Sequence, residues 1–405
     1  MASAKKVFVV GTADTKKDEL LFAADQLKAW GLPVVTVDAS VNAGPGGPGG
    51  LDLRPADIAT TQPCPWEQPD RGQAVAAMAR ALRDWLLARH QAGEVAGLFG
   101  MGGSGGTILC STAFTALPLT IPKLIVSTMA SGETRGYVGE SDLVLVPALV
   151  DLAGVNRISA TVLARAAGAL AGMVRAGEKP LPPSGKPLVA ATMFGVTTPC
   201  VTKVRSLMEA LGNEVLVFHA TGAGGRAMEK LVAADLVQGV LDVTTTEVAD
   251  ECVGGVLTAG PDRMDVILAK RIPYVLSLGA LDMVNFGARD TVPARFEGRQ
   301  FHIHNAQVTL MRTTVEENRQ IGAWIGRKLE QASGRWTLVI PQGGVSALDS
   351  PGKPFHSLEA LQALVAGLKS QLTAKPGHTV VESPLHINDP AFAETLVDAY
   401  QKLIG

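Results

Sequence analysis

Short β-branched runs alternate with longer amphipathic segments along the whole 405-residue chain, which confines it to parallel-sheet α/β architecture rather than a helical bundle or a sandwich. An apolar run at 7–10 reads as a first strand. Residues 17–30 put Leu20, Leu21, Ala24 and Leu27 on one helical face, with Asp18, Asp25 and Lys28 supplying a polar face. Gly31 ends that helix, and 34–37 gives the next strand, completing one βαβ unit. The same grammar predicts a helix over 73–90, a strand over 95–99, a helix from Thr107, strands over 124–127 and 143–146, and a helix over 157–175. A stretch rich in Pro, Gly and Lys at 177–187 interrupts the pattern and reads as a linker. A second series follows, with strands near 188–191, 214–218, 240–243, 274–277 and 337–340, helices such as 201–211 and 315–331, and a last helix over 392–404. A chain of this length exceeds what one hydrophobic core usually serves, so two α/β domains with mainly parallel sheets, 1–180 and 187–405, are expected.

Composition removes several function classes. Lysine plus arginine total 36 against 38 acidic residues, so bulk charge calls for neither nucleic acid nor an anionic membrane. Cys64, Cys110, Cys200 and Cys252 are widely spaced and form no C-x-x-C pair, against both a zinc ribbon and a disulfide framework. Residues 1–6 are polar and lead directly into the first strand, unlike a signal peptide, and apolar runs break at Gly, Pro or charge before the roughly 20 residues of a membrane span. A cytoplasmic protein is the expectation.

The strongest chemical signal follows the strand at 95–99: Gly102-Gly103-Ser104-Gly105-Gly106-Thr107, then an apolar helix. Glycines at a helix N-terminus let backbone N–H groups reach phosphate oxygens, and the helix dipole favours the negative charge. Ser104 and Thr107 are candidate hydroxyl ligands for phosphate or Mg²⁺. The chain contains no G-x-x-x-x-G-K-[ST], so this is not a Walker loop. Gly11, Thr12, Asp14, Thr15 and Lys16 follow the first strand, and they fit either a phosphorylated ligand or a helix cap. Ala130, Ser131, Gly132, Glu133 and Thr134 leave the strand at 124–127, as pocket wall or ordinary polar loop. Asp38 ends the second strand, as a ribose ligand or a loop cap, and no G-x-G-x-x-G accompanies it. The Gly- and Pro-rich segment 42–50 reads as an irregular loop over the site.

In the second half, Phe301-His302-Ile303-His304-Asn305 would place His302 and His304 on one face of a strand, suited to a metal or an anionic substrate, or to a structural pair. His219 with its glycine-rich turn, the acids Glu247, Asp250 and Glu251, Asp282, and the turn at 341–346 are the other polar strand ends. His219, Asp282, His302 and His304 are therefore catalytic candidates for a second site. Both halves open with an apolar strand running into a Gly-Thr or Gly-Val-Thr-Thr turn, which hints at two related folds.

Taken in order, Gly11-Thr12 with Asp14-Thr15-Lys16, Gly102 to Thr107, Ala130-Ser131-Gly132-Glu133-Thr134, Gly154-Val155-Asn156-Arg157, His219-Ala220-Thr221-Gly222, His302-Ile303-His304-Asn305 and Pro341-Gln342-Gly343-Gly344-Val345-Ser346 resemble the ATP-binding domain at the N-terminus of the tomato mosaic virus resistance protein and its bacterial relatives. The set is collinear over nearly the whole chain. The resemblance implies two Rossmann-like domains, ATP with Mg²⁺ in the first, and a homo-oligomer. Two alternatives stay open: an ATP-dependent enzyme acting on a small carboxylated metabolite between the domains, and a regulatory module that the nucleotide stabilises.

Overall fold

The computed structural model describes residues 5–60, 63–179 and 185–405. It divides into two compact units, Met1–Pro182 and Pro183–Gly405. Residues 180–184 of the expected linker lie outside the described residues.

The first unit runs β1 (Lys6–Gly11), α1 (Ala13–Ala29), β2 (Val34–Asp38), α2 (Pro55–Ile58), α3 (Arg71–Gln91), β3 (Val95–Gly102), α4 (Ser104–Phe114), β4 (Lys123–Ser127), α5 (Arg135–Val138), β5 (Val144–Pro147) and α6 (Arg157–Gly177). All strand pairings are parallel, in the order β2-β1-β3-β4-β5. The continuous apolar run of β1 is what burial on both faces requires. Val7 and Val9 join the core beneath α1 and α6, while Phe8 and Val10 join the core beneath α3 and α4. Each such side chain stabilises by roughly 1.5–3 kcal/mol on full burial. α6 meets the length and composition of a membrane span, and 44% of that window is buried, with Leu163, Ala167 and Leu170 packed beneath the sheet.

The second unit continues with β6 (Leu188–Met193), α7 (Thr198–Ala210), β7 (Glu214–His219), α8 (Ala223–Ala233), β8 (Gly239–Thr244), α9 (Thr246–Val253), α10 (Asp265–Ala269), β9 (Tyr274–Gly279), β10 (Met283–Phe286), β11 (Phe301–Asn305), β12 (Val308–Arg312), α11 (Val315–Glu330), β13 (Trp336–Pro341), α12 (Leu358–Lys369), β14 (His378–Ser383) and α13 (Pro390–Ile404). Its six-stranded sheet is parallel, in the order β14-β13-β9-β8-β6-β7. Counted by first appearance and read from the other edge, this repeats the order of the first unit with one strand added. The fold is thus α/β with two Rossmann-like sheets. β10, β12 and β11 form a separate antiparallel sheet.

Helices α11 and α12 meet backbone to backbone. A Cβ on Gly322 would lie 2.0 Å from the Leu364 carbonyl oxygen, one on Gly326 2.5 Å from that of Leu368, and one on Gly367 2.1 Å from that of Arg319. Only glycine permits that approach.

Four features differ from the sequence-based expectation. α1 begins at Ala13 rather than 17, with a kink at Lys16 (φ −132°, ψ 25°), and α4 begins at Ser104 rather than Thr107. A first helical turn tolerates Gly and polar residues because its N–H groups have no intrahelical partner, so a sequence pattern places the start too late. The edge strand β14 and the small antiparallel sheet were not expected.

Candidate functional site

In a sheet of order 2-1-3-4-5 the chain turns to opposite faces after the first and third strands, and the crevice between their carboxyl ends is where ligands bind. Here β1 leads to α1 on one face and β3 to α4 on the other. Gly11-Thr12 and the glycine-rich segment therefore flank this switch point.

The two helix starts differ in what already fills them. At α1, Asp38 Oδ1 accepts the Ala13 N–H at 3.1 Å and Ser40 Oγ accepts the Asp14 N–H at 3.0 Å. Asp38 is 2% exposed and also takes the Ser40 N–H and hydroxyl at 2.9 and 2.5 Å. Its Oδ1 acts as an internal cap, while among the described residues no hydrogen bond to its Oδ2 is present. Thr12 and Thr15 share a hydroxyl contact at 3.2 Å, and Asn42 donates to Asp14 at 3.1 Å, so the 42–50 loop is tied to this start.

At α4 no side chain caps the helix, whose N-cap is Gly103. Its glycines divide by role. A Cβ on Gly102 would strike Gly106 Cα at 2.7 Å, so these two serve close strand–helix packing. Gly105 faces open space, and a Cβ on Gly103 would meet only Thr128 Oγ1, at 3.6 Å. Thr107 is fully buried, its hydroxyl 2.6 Å from Ser127 Oγ and 3.3 Å from the Gly102 carbonyl. It joins β3, α4 and β4 and is not placed as a phosphate ligand, which leaves Ser104 as the hydroxyl of the loop.

Ser104 and Gly105 line a cavity of about 610 Å³ between α3 and α4, together with Arg71, Arg80, Ile108 and Tyr137. Neither arginine has an ion-pair partner among the described residues. Arg71 and Arg80 carry no sequence signal, because exposed arginines on an amphipathic helix look like a solvated face. Only the packing of α3 on α4 brings them to the loop. Beside it a hollow of about 590 Å³ is lined by Ser127, Thr128, Ser131 and residues 147–151. Gly132 and Glu133 are exposed, and Glu133 accepts the Arg135 N–H at 2.9 Å. Among the described residues no group of three or more His, Cys, Asp or Glu is placed to hold a metal ion.

In the second unit the polar strand ends are largely consumed internally. Glu247 Oε1 accepts the N–H groups of Gly222 and Gly225 at 2.7 and 3.0 Å, placing a carboxylate at the start of α8 where the glycine-rich turn after β7 invited an external anion. Its Oε2 takes Arg263 Nε at 2.9 Å, while Asp242 and Glu229 take the other two guanidinium nitrogens at 2.8 and 3.2 Å. Arg263 is 2% exposed; burial opposes its charge, but Asp242, Glu247 and Glu229 outweigh it and hold the pKa well above the usual arginine value. Glu251 is likewise occupied by the Thr258 hydroxyl.

Asp282 is 1% exposed, with Oδ2 accepting from Ser346 Oγ at 2.7 Å and Oδ1 lacking any partner. Burial, reinforced by Asp349 and opposed by Arg312 and the Ser346 hydroxyl, pushes its pKa up to about 7. Asp250 is also pushed up to about 7, by burial, although Asn285 and the Leu257 N–H hold its charged form. Among the described residues no hydrogen bond or ion pair joins the candidates His219, Asp282, His302 and His304 to one another. His219 stacks on Phe194 at 5.3 Å and His302 meets Phe355 edge-on at 6.3 Å, both phenyl rings belonging to one apolar cluster with Met283 and Leu310. The β11 register shifts between Ile303 and Asn305, leaving His304 in a bulge that breaks the alternation a same-face pair requires. Metal content of purified protein should therefore be unchanged by a combined His302→Ala, His304→Ala substitution; a stoichiometric metal lost from the variant would restore the metal reading.

Comparison with known proteins adds the lineage. Two family models match, described as "Uncharacterised protein family (UPF0261) N-terminal domain" over 5–179 and its C-terminal domain over 186–404. The tomato (Solanum lycopersicum) ToMV resistance protein Tm-1 is 45% identical over 423 residues, covering 99% of this chain and 56% of the tomato protein. The chain thus spans about half the length of that relative. A UPF0261 protein of Mesorhizobium japonicum is 46% identical over 97% of this chain and 98% of its own length, and one of Clostridium tetani is 45% identical over 96% of each. With both of its domains matched and relatives of equal length in bacteria, this chain belongs to the UPF0261 family.

Proposed function

We propose that this protein binds a nucleotide, ATP, with its phosphates on the first turn of α4. The observation that carries the reading is the joint one at that turn: an uncapped helix N-terminus with open Gly103 and Gly105, opening into a cavity that also holds Arg71 and Arg80. Backbone N–H groups and the helix dipole meet the phosphates, and guanidinium forks suit phosphate oxygens as bidentate donors. Val75, Ala76 and Ile108 offer an apolar wall for the rest of the ligand, and Tyr137 an aromatic one. The choice of ATP among phosphate ligands follows the collinear family pattern, and Ser104 is the hydroxyl nearest to hand for a phosphate oxygen. Binding, rather than turnover, is the function proposed, because the features that carry the reading are binding features: open backbone N–H groups and two guanidinium groups.

Calorimetry with ATP, ADP and NAD on wild type and Gly103→Asp tests it. Gly103 has φ −78°, which any residue adopts, and its Cβ direction is open, so the variant keeps its fold. Aspartate is moreover a good N-cap, and should raise the thermal midpoint slightly. The same carboxylate occupies the anion position, so ATP affinity is expected to fall about 100-fold or more, roughly 3 kcal/mol. Arg71→Ala with Arg80→Ala should weaken ATP by about tenfold. Equal ATP affinity in wild type and Gly103→Asp would sink the assignment.

A further inference from the structure

At the amino ends of β9, β13 and β14, the edge of the second sheet remote from its polar loops, a cavity of about 330 Å³ is lined by Arg271, Ser333, Arg335 and His378, with Pro273 and Leu403 as apolar wall. No carboxylate lines it, and among the described residues neither guanidinium has an ion-pair partner. Both arginines are solvent-exposed, so the hollow offers their guanidinium donors to an anion with no carboxylate competing for them.

The Arg335 side chain and the Arg271 backbone are held by their surroundings. Arg335 lies over Gly377, where a Cβ would sit 2.8 Å from Arg335 Cγ, and its Nη2 donates to the Leu403 carbonyl, leaving the remaining N–H groups for a ligand. Gly334 brings its backbone against Arg271, a Cβ there meeting Arg271 Cα at 2.7 Å. Arg271 has φ +50°, a left-handed conformation that a non-glycine residue holds only when its surroundings enforce it. The His378 ring stacks on Trp336 at 4.8 Å and 26°, and its Nδ1 is buried without a partner. Strain, unpaired charge and an unsatisfied buried nitrogen thus coincide at one small cavity, and structural packing alone gives no reason to keep all three.

We propose that this cavity is a second ligand site, binding a phosphoryl anion, either free phosphate or the phosphate of a small metabolite, between Arg271 and Arg335. Guanidinium forks match phosphate oxygens in pairs, and the volume suits a small ligand rather than a nucleotide.

The test uses the full chain carrying Gly103→Asp, so that the α4 loop does not contribute, titrated with inorganic phosphate, glycerol 3-phosphate, and chloride at matched ionic strength. Arg271→Gly removes the guanidinium and relieves the left-handed backbone, so it should fold at least as well; Arg271→Lys keeps the charge without the fork. Phosphate is expected to bind the parent, at least tenfold more weakly to Arg271→Gly, and between the two to Arg271→Lys. Tighter binding of glycerol 3-phosphate assigns the site to a phosphorylated metabolite and tighter free phosphate to the ion, and either upholds the proposal. No phosphate binding by the parent, equal binding by Arg271→Gly, or an equal response to chloride overturns it.

Discussion

Arg263→Met should destabilise the second unit by about 3–5 kcal/mol, enough to remove much of the stability of an ordinary domain. The substitution leaves Asp242, Glu247 and Glu229 buried beside one another with no cation among them. The loss reaches further than one ion pair. Asp242 also holds Tyr274 Oη at 2.9 Å and Thr192 Oγ1 at 2.7 Å, and Glu247 holds the start of α8, so β6, β8, β9, α8 and α9 share the damage. Arg263→Lys should recover only part of the loss, since its three donors sit on one nitrogen, whereas Nε, Nη1 and Nη2 of Arg263 each reach a different carboxylate. Urea unfolding of the two variants beside wild type decides it, and a midpoint unmoved in Arg263→Met would show that the carboxylates are neutral in the fold.

The second large effect runs with pH. Asp250 and Asp282 are each pushed up to about 7 in the fold, against about 3.9 for an unfolded aspartate. The native state therefore binds more protons than the unfolded chain between those values, and stability must fall as pH rises through that window. From pH 5 to above 7 each group takes away on the order of 3 kcal/mol. Glu229, also raised by burial, acts in the same direction, whereas Glu317, whose pKa Arg299 and Thr314 hold down against burial, stabilises as pH rises through a lower range. Asp282→Asn mimics the protonated acid and should flatten the profile by one group's share, which denaturation at pH 5 and 7.5 would measure. An identical slope in wild type and variant would place the Asp282 proton elsewhere.

How much of this was legible in the sequence depended on the range of the interaction. The alternation of strand and helix needs only local pattern, and β1, β3, β6, β8, β9 and β13 lie where their apolar runs predict, because strands buried on both faces are apolar throughout. β14 was missed because it is an edge strand with Thr379, Val380 and Glu382 exposed, so no continuous apolar run marks it. The Gly102 to Thr107 segment stands out in the sequence as a candidate site, but the division of its glycines into packing and open positions does not, since it depends on where Thr128 and Gly106 lie in space. Glu247, Asp250 and Glu251 read as available acids, yet Glu247 is claimed by Arg263, sixteen residues further on and invisible to any local pattern. Asp38 shows the same limit: the loop cap is one of its two readings in the sequence, and only the position of the Ala13 N–H in space shows that Oδ1 fills it.

The glycine contacts between α11 and α12 also restrict how the second unit can move. Helices separated by side chains can slide a little past each other as those side chains change rotamer, and shear motions in proteins are built from such slippage. Gly322, Gly326 and Gly367 leave no such layer, and each is lodged against a carbonyl of the facing helix. The pair must travel as one slab. Any ligand-driven rearrangement in this half of the molecule would then have to bend at the loops around the sheet, which makes those connections, rather than the helix interface, the place to look for hinges.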